Sequence, residues 1–461
     1  MSLEDALLDA RFGLGPHPSF RSGAEALLAP LTGPDRIAAT HPIAPFADLA
    51  HQGDALRQLN RARREAATAA AREAAVDARR DYQRAMRVRK ARETGALLAR
   101  AVETRDPMRE RLVRFWADHF TVVGRHFYLR NAVENYVEEA IRPNVTGRFS
   151  DLLAAAILHP MMVLYLGQAS SIGPNSRMGR ENPDRGLNEN LAREVLELHT
   201  LGVDGAYAQA DVRQLAELLA GLIVPQDGTL RFAPHRGEPG PEQVLGRRYG
   251  RRIPKIEDIH QVLADLARHP DTARHIARKL AVHFVSDTPS AALVAHVAAR
   301  FVATDGDLLQ VYTALVEHPD ARRRTRDKVK PPWDFVVTSL RALQPDGSRL
   351  AQARTGDVQH HLLRPLADMG QPWEAPTGPD GWPETAAHWV TPQGLAGRIG
   401  WAMRLPDLLG AFGTPLPDPR GFADTALGPL AGPTVRFAAQ AAETRAEGIA
   451  LVLLSPEFQR R

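Results

Sequence analysis

The sequence contains no cysteine among its 461 residues, which excludes several kinds of chemistry at once. No disulfide framework, thiolate nucleophile, Cys-bound zinc or iron–sulfur cluster can form, so a metal would have to bind to His, Asp and Glu side chains. The chain also lacks a run of about 18 apolar residues, and Glu4, Asp5 and Arg11 lie where a signal peptide would need a basic start and an apolar middle. We therefore expect no transmembrane segment and a cytoplasmic location.

Lysine is scarce as well: only five of the 58 basic residues are Lys, and the other 53 are Arg. Segment 57–105 holds 14 basic and 6 acidic residues, a net charge of +8, which leaves −4 on the rest of a chain whose total is +4. Because the excess lies in one segment, the basic balance does not predict a nucleic-acid-binding surface across the protein. Such an arginine bias is more typical of genome base composition than of a binding surface.

Several catalytic signatures are missing. The sequence has no Gly-x-Gly-x-x-Gly after a strand, no Gly-Lys-Ser/Thr phosphate loop and no Gly-x-Ser-x-Gly elbow. It also has no His-Glu-x-x-His zinc motif and no pair of Glu-x-x-His motifs typical of di-iron sites. Nucleotide-binding, serine-hydrolase and these two metal chemistries therefore lack their usual support.

Helical periodicity dominates what is present. Apolar residues recur at three- and four-residue steps in ten segments, which are 109–120, 131–141, 149–158, 188–201, 211–222, 256–268, 272–284, 291–304, 307–318 and 332–343. Residues 225–255 are rich in Gly, Pro and Arg and predict an irregular loop or hairpin, and 370–389 form a Pro/Gly/Trp-rich irregular segment. We predict a mainly α protein, with one large multi-helix domain over residues 1–461 and at most a small β-hairpin.

One basic segment differs from the rest. Leu56–Arg92 has no Gly or Pro and is rich in Ala and Arg, which predicts one long helix or a helical hairpin. Its large apolar residues are too sparse to bury deeply, so we expect residues 56–105 to form a projecting, solvated helical arm. A phosphate-binding or partner-binding arm is the alternative interpretation.

Three histidines, His159, His269 and His318, stand directly before a proline at the end of an apolar periodic segment. We interpret them as helix stops, because a His near a helix C-terminus can bond the last carbonyls and the residue before Pro is pushed out of the helical region. This capping role makes them poor candidates for metal ligands.

Segment 188–202 holds the main candidates for chemistry. At 100° per residue, Asn190, Glu194 and Glu197 fall within about 60° of one another on one helix face. Two carboxylates on one face can bind a divalent cation or divide acid and base work. The alternative is a polar network through Arg193, which is four residues from both Glu189 and Glu197 and fixes the helix register.

Histidines supply the remaining candidates. His199 lies about 140° from Glu194 in the predicted last turn, where Gly202 is a plausible C-cap. His119 ends an aromatic segment and could meet the carboxylate stripe from another helix, or could be a hydrogen-bonded core residue. The predicted catalytic residues are thus His119, Glu194, Glu197 and His199, and the predicted binding residues are Asn188, Asn190, Arg193 and the loop residue His235.

Several motifs, read in order, resemble one bacterial family. They are Arg11-Phe12-Gly13-Leu14-Gly15, Phe115-Trp116-Ala117-Asp118-His119-Phe120, the block from Asn188-Glu189-Asn190 to Leu198-His199-Thr200-Leu201-Gly202, Gly381-Trp382-Pro383 and Ser455-Pro456-Glu457-Phe458. Together they resemble the family catalogued as domain of unknown function 1800, over nearly the whole chain. The resemblance implies no established activity. It does imply that relatives are often exported and that their genes often lie beside those of the domain of unknown function 1501 family, which resembles sulfatases and alkaline phosphatases.

Three functions remain open at this point. The first is a helical binding or accessory protein that works with a partner enzyme, with a protein of the domain of unknown function 1501 family as the candidate partner. The second is a metal-assisted hydrolase that uses Glu194 and Glu197, with a divalent metal as its cofactor. The third is nucleic-acid binding through the basic arm, which the charge distribution disfavours.

Overall fold

The computed structural model describes residues 1–17, 19–20, 22–49, 52–124 and 129–461, and helices dominate this part of the chain. The α-helices are α1 Leu3–Phe12, α2 Ala24–Leu28, α3 Arg36–Thr40, α4 Gln52–Glu65, α5 Ala69–Glu103, α6 Pro107–His119, α7 Val133–Tyr136, α8 Phe149–Ile157, α9 Pro160–Tyr165, α10 Arg177–Glu181, α11 Asn190–Glu194, α12 Gln209–Leu219, α13 Ile256–Ala267, α14 Pro270–Phe284, α15 Ala291–Ala303, α16 Leu308–Glu317, α17 Pro332–Leu343, α18 Gly347–Ala351, α19 Thr355–Val358, α20 Arg364–Asp368, α21 Ala386–Trp389, α22 Pro392–Met403, α23 Leu405–Ala411, α24 Pro419–Leu427, α25 Pro433–Ala441, α26 Arg445–Leu454 and α27 Pro456–Gln459. The prediction of a mainly α protein is confirmed.

Three helices continue into wider π-helical turns, at Val137–Ile141 after α7, Val195–His199 after α11 and Gln359–Leu363 after α19. Such turns are rare in proteins as a whole, and those that occur are often found at functional sites. The second of them carries two of the predicted site residues, Glu197 and His199.

Two small antiparallel sheets lie in and beside the region predicted to be irregular, rather than the single hairpin expected at most. Strand β1 (Leu222–Ile223) pairs with β2 (Arg231–Phe232), and β3 (Glu242–Val244) pairs with β4 (Arg247–Tyr249). The β3–β4 hairpin closes through Leu245-Gly246, which have φ values of 49° and 77°. Two residues with positive φ match the twist of the flanking strands, so this short turn closes the hairpin.

Helices α13 to α17 begin and end within two residues of the periodic segments predicted for them. Their apolar faces are buried, as α13 shows with Ile259, Val262, Leu263 and Leu266. A strong apolar stripe at helical spacing is sufficient to position these helices because burial of that stripe provides most of their stability.

The side chains of the three His-Pro histidines bond to the following helix and not to the carbonyls of the preceding one, so that part of the prediction is wrong. The preceding helices do end there, but each histidine is an N-cap with Pro at the first helical position. Proline suits that position because it has no N–H to satisfy, and the ring nitrogen accepts a free N–H of the first turn. The bonds are Met161 N–H to His159 Nδ1 (3.1 Å), Asp271 N–H to His269 Nδ1 (3.1 Å) and Asp320 N–H to His318 Nδ1 (3.2 Å).

The basic segment forms a helical hairpin, not one continuous helix. Helices α4 and α5 pack together and are separated by residues 66–68, where the Thr68 hydroxyl accepts the Ala71 N–H and starts α5. Most of α5 before residue 91 is exposed, whereas residues 93–102 are buried. Among the described residues, no helix, α5 included, combines the length and apolar character needed to cross a bilayer.

Two apolar cores hold the helices together. The first is built mainly by α6 to α9 and α11 to α16 and includes Phe12, Trp116 and Phe149. The second joins the end of α5 to α17 and the helices after it and includes Phe335 and Trp401. Helices α6 and α17 therefore belong to different cores and meet at their boundary.

A buried ion triad crosses that boundary. Arg111 of α6 lies 2.9 Å from the Asp334 carboxylate of α17, and Arg461 pairs with the same carboxylate. All three side chains are almost fully buried. Removing one partner of such a group leaves a buried charge without its counter-ion, which strongly destabilises the fold.

We expect Asp334→Asn to lower the free energy of unfolding by about 3–5 kcal/mol, because two buried guanidinium groups would lose their carboxylate. The matched control is Asp77→Asn, which removes an exposed ion pair with Arg80 and should change stability by less than about 1 kcal/mol. Urea denaturation of the three proteins measures both values. Equal stability of Asp334→Asn and the wild type would contradict the structural role of the triad.

Candidate functional site

Two helices, α6 and α14, place polar side chains against each other at the core boundary. His275, Lys279 and His283 are spaced by four residues on α14 and therefore lie along one helix face. Asp118 and His119 end α6, and the rings of His119 and His275 are 6.2 Å apart. These facing side chains form the centre of the candidate site.

His199 joins this centre from the π-helical turn that follows α11. Its ring lies 5.6 Å from that of His119, whose Nε2–H points to the His199 carbonyl at 3.3 Å. The Nε2–H of His275 donates to the neighbouring carbonyl of Leu198 at 3.0 Å. Neither ring nitrogen of His199 has a hydrogen-bond partner among the described residues, although both are buried.

Burial keeps these imidazoles neutral. It lowers the pKa of His199 to about 3 and that of His275 to about 4, and the pKa of His119 falls well below its ordinary value for the same reason. The positive charge of Lys279 lowers all three pKa values further. The three imidazoles therefore carry no charge at neutral pH.

The predicted carboxylate stripe lies beside this cluster. Both predicted ion pairs are present, with Arg193 at 3.4 Å from Glu189 and 3.2 Å from Glu197. The Glu194 side chain has no hydrogen bond or ion pair with another described residue. Burial raises its pKa, and the charges of Glu197 and Asp380 add to that effect.

The predicted binding residues have separate places. The Asn188 side chain donates to the Leu166 carbonyl (3.0 Å) and accepts the Asn190 N–H (2.9 Å), so it fastens the loop before α11. Asn190 is exposed. His235 is exposed in the loop between β2 and β3, outside the cleft described next.

A cleft opens next to Asp118, between α6, the end of α14 and the segment 371–389. Four of the six tryptophans of the chain line it, namely Trp333, Trp373, Trp382 and Trp389. Its polar lining includes Asp118, His283 and Glu384. A largely apolar cleft with a few convergent polar groups is the usual form of a small-molecule site.

Asp118 is held at the wall of this cleft by the Gly381-Trp382 turn. The Trp382 backbone N–H donates to its carboxyl group at 2.9 Å. Gly381 has a φ of +81°, and a Cβ on it would lie 2.7 Å from the Asp118 carboxyl carbon, so only glycine fits there. Burial raises the pKa of Asp118 to about 7, and the charge of Glu384 adds to that effect.

Glu384 lines the same cleft and is held as an anion. The Nδ1 of His283 lies 2.7 Å from its carboxylate, and Arg111 donates to the Nε2 of the same ring at 3.3 Å. Because Nε2 accepts, Nδ1 carries the proton and donates to Glu384. Burial opposes ionisation, but His283, Lys328 and Arg461 together lower the pKa of Glu384 well below its ordinary value.

The sequence interpretation missed most of this cleft. It singled out His119 but not its neighbour Asp118, and it placed residues 370–389 only as an irregular segment. One signal was present: His275, Lys279 and His283 repeat every four residues on a predicted helix. Nothing in the sequence pairs Glu384 with His283, because the two lie 101 residues apart and meet only in the folded chain.

Across the described residues, no three His, Asp or Glu side chains are arranged to hold a metal ion, and this includes Glu194 and Glu197. What the candidate site offers in this geometry is a set of groups that hold or move protons.

We expect His199→Leu to flatten the acid side of the stability profile. The neutral His199 stabilises the fold fully above the unfolded-state pKa of about 6.5, and this contribution is lost as pH falls from there towards the folded-state pKa. Between pH 7 and pH 5 the wild type should lose about 2 kcal/mol more unfolding free energy than the variant. Urea denaturation at both pH values measures the difference, and parallel profiles would contradict a neutral, buried His199.

The family described as "Protein of unknown function (DUF1800)" matches residues 8–460. Neither a curated protein nor a solved structure matches the chain. The match spans the whole candidate site, from Asp118 on α6 to Glu384. The chain therefore belongs to the DUF1800 family.

Proposed function

We propose that this protein is a hydrolase whose active site is the tryptophan-lined cleft, with Asp118 as the general acid and Glu384 as an ionised carboxylate. The observation that carries the proposal is that two carboxyl groups line one cleft and have pKa values displaced in opposite directions. Paired carboxyl groups with different protonation states can take different parts in one reaction.

The reaction needs no reactant besides water. Asp118, protonated up to about pH 7, donates its proton to the leaving group as the substrate bond breaks. Glu384 stabilises the positive charge that develops on the other fragment. Water adds to that fragment and returns a proton to Asp118, which restores the starting state.

The pair Glu194 and Glu197 is the alternative acid–base pair, with His119 or His199 as its third member. It is supported by the raised pKa of Glu194 and by the position of both histidines beside α11. The two pairs use different carboxyl groups and can be separated by substitution.

We expect Asp118→Asn to lower kcat by about 10²- to 10⁴-fold on any substrate that the wild type hydrolyses. Umbelliferyl glycosides and esters serve as the first panel. The wild-type kcat/KM should fall above about pH 7, where Asp118 loses its proton. Glu73→Gln, an exposed carboxylate of α5, is the control with unchanged activity. If Asp118→Asn keeps full activity and Glu194→Gln loses most of its activity, Glu194 and Glu197 are the acid–base pair.

An accessory role with a partner protein has separate support on α22. Leu395, Ile399 and Met403 are four residues apart and 42%, 51% and 52% exposed, so they form an apolar stripe on the surface. Aligned apolar side chains at a helix surface are typical of protein contacts. The resemblance offers a protein of the domain of unknown function 1501 family as the candidate partner.

We expect Ile399→Glu to abolish co-purification with a co-expressed domain of unknown function 1501 protein, because it places a charge in the apolar contact. Val302→Glu on α15 is the matched control, since Val302 is 58% exposed and far along the chain from this stripe. Retention of the partner by Ile399→Glu would exclude the stripe as its docking surface.

A further inference from the structure

Tryptophan is concentrated at the cleft in an unusual way. Trp373 and Trp382 are partly exposed there, while Trp333 and Trp389 are buried and lie against them. The Trp333 and Trp373 rings are 4.1 Å apart, and Trp382 and Trp389 are 6.1 Å apart. Broad indole faces supply large, rigid apolar contact area for a flat ligand face. This arrangement suits the C–H face of a sugar ring.

Two neighbouring polar groups in the cleft wall lack partners. The Trp373 Nε1–H and the Glu374 Oε1 are buried and have no hydrogen bond to another described residue. The other carboxyl oxygen of Glu374 pairs with Lys90, which fixes the side chain. A buried polar group without a partner is unfavourable, so a ligand that bonds to both groups binds more tightly.

The backbone at Glu374 is strained as well. Its φ is +54°, a left-handed conformation that is unfavourable for a non-glycine residue. Such strain persists where the surrounding structure enforces it, and it is concentrated at ligand-binding sites. The strained residue, with its free carboxyl oxygen, and the residue that carries the unbonded indole N–H are adjacent in the chain, and both line the cleft.

Hydroxyl groups suit both positions, because a hydroxyl can accept from the Trp373 N–H and can donate to the Glu374 oxygen. A quaternary ammonium ion has no acceptor for the indole. An anionic ligand would need a free cation, but both arginines that line the cleft are already bonded. Arg111 pairs with Asp334 at 2.9 Å, and Arg114 makes two hydrogen bonds of 2.8 Å to Glu134.

We propose that the cleft binds a neutral carbohydrate, with indole faces packed against the sugar ring and with the Trp373 N–H and the Glu374 carboxyl oxygen bonded to its hydroxyl groups. This inference rests on the proposed function for the location of the site and adds the class of ligand.

Isothermal titration calorimetry of the full chain tests it, with maltohexaose, cellohexaose and chitohexaose as probes. Tetramethylammonium chloride and sodium phosphate are the counter-probes. Trp373→Phe keeps an aromatic ring but removes the N–H donor. Trp401→Phe is the matched control, because Trp401 lies in the second core and its N–H donates to the His361 carbonyl, outside the cleft. Circular dichroism confirms that both variants are folded.

We expect at least one of the oligosaccharides to bind with a millimolar or tighter Kd. Trp373→Phe should weaken that Kd by about fivefold, the equivalent of one hydrogen bond of about 1 kcal/mol, and Trp401→Phe should leave it unchanged. Absence of binding by all three sugars overturns the inference, as does binding of a counter-probe in their place. Equal affinity of Trp373→Phe and the wild type overturns the role of the indole N–H.

The two proposals fail in different ways. Sugar binding that persists in Asp118→Asn, in a protein that hydrolyses none of the panel, supports the ligand class and overturns the hydrolase. Hydrolysis of esters that depends on Asp118, without sugar binding, overturns the ligand class and leaves the hydrolase in place.

Discussion

The rest of the structure depends on one interaction, the buried ion triad in which the Asp334 carboxylate pairs with Arg111 and Arg461. It connects α6 of the first core to α17 of the second, so the two cores cannot separate without breaking these buried ion pairs. The same Arg111 also donates to His283, which in turn donates to Glu384. The ion triad that joins the cores therefore also sets the protonation and orientation of the site.

Two carboxyl groups of the cleft are buried, and the contacts that each one makes offset the cost of burying its charge to different extents. Asp118 retains its proton to about pH 7 because burial disfavours its anion more than the Trp382 N–H and the charge of Lys279 favour it. Glu384 lies nearly as deep but is surrounded by His283, Lys328 and Arg461, and it stays ionised. A difference in local partners, and not in residue type, thus divides two carboxyl groups into an acid and an anion. The buried, unpartnered nitrogens of His199 belong to the same desolvated region.

The sequence supported the helices much better than it supported the site. Apolar stripes located α13 to α17 closely, because periodicity is a local property and burial of one face follows from it. The predicted ion pairs of Arg193 are local in the same sense and are present. His119 and His199 meet, although 80 residues separate them. Asp118, beside His119 in the same motif, was passed over because a lone carboxylate at a helix end has no distinguishing pattern.

By itself, the sequence determined the mainly α architecture, the exclusion of cysteine chemistry, the ends of the most periodic helices and membership of the family. Each of these follows from composition, from spacing within about twenty residues or from short motifs. The tertiary structure alone decided that the His-Pro histidines cap the following helices, that the basic segment folds into a hairpin and that Glu384 meets His283. The reason is physical: pKa values, cap partners and cleft walls depend on which distant groups share a desolvated space, and that is set by packing.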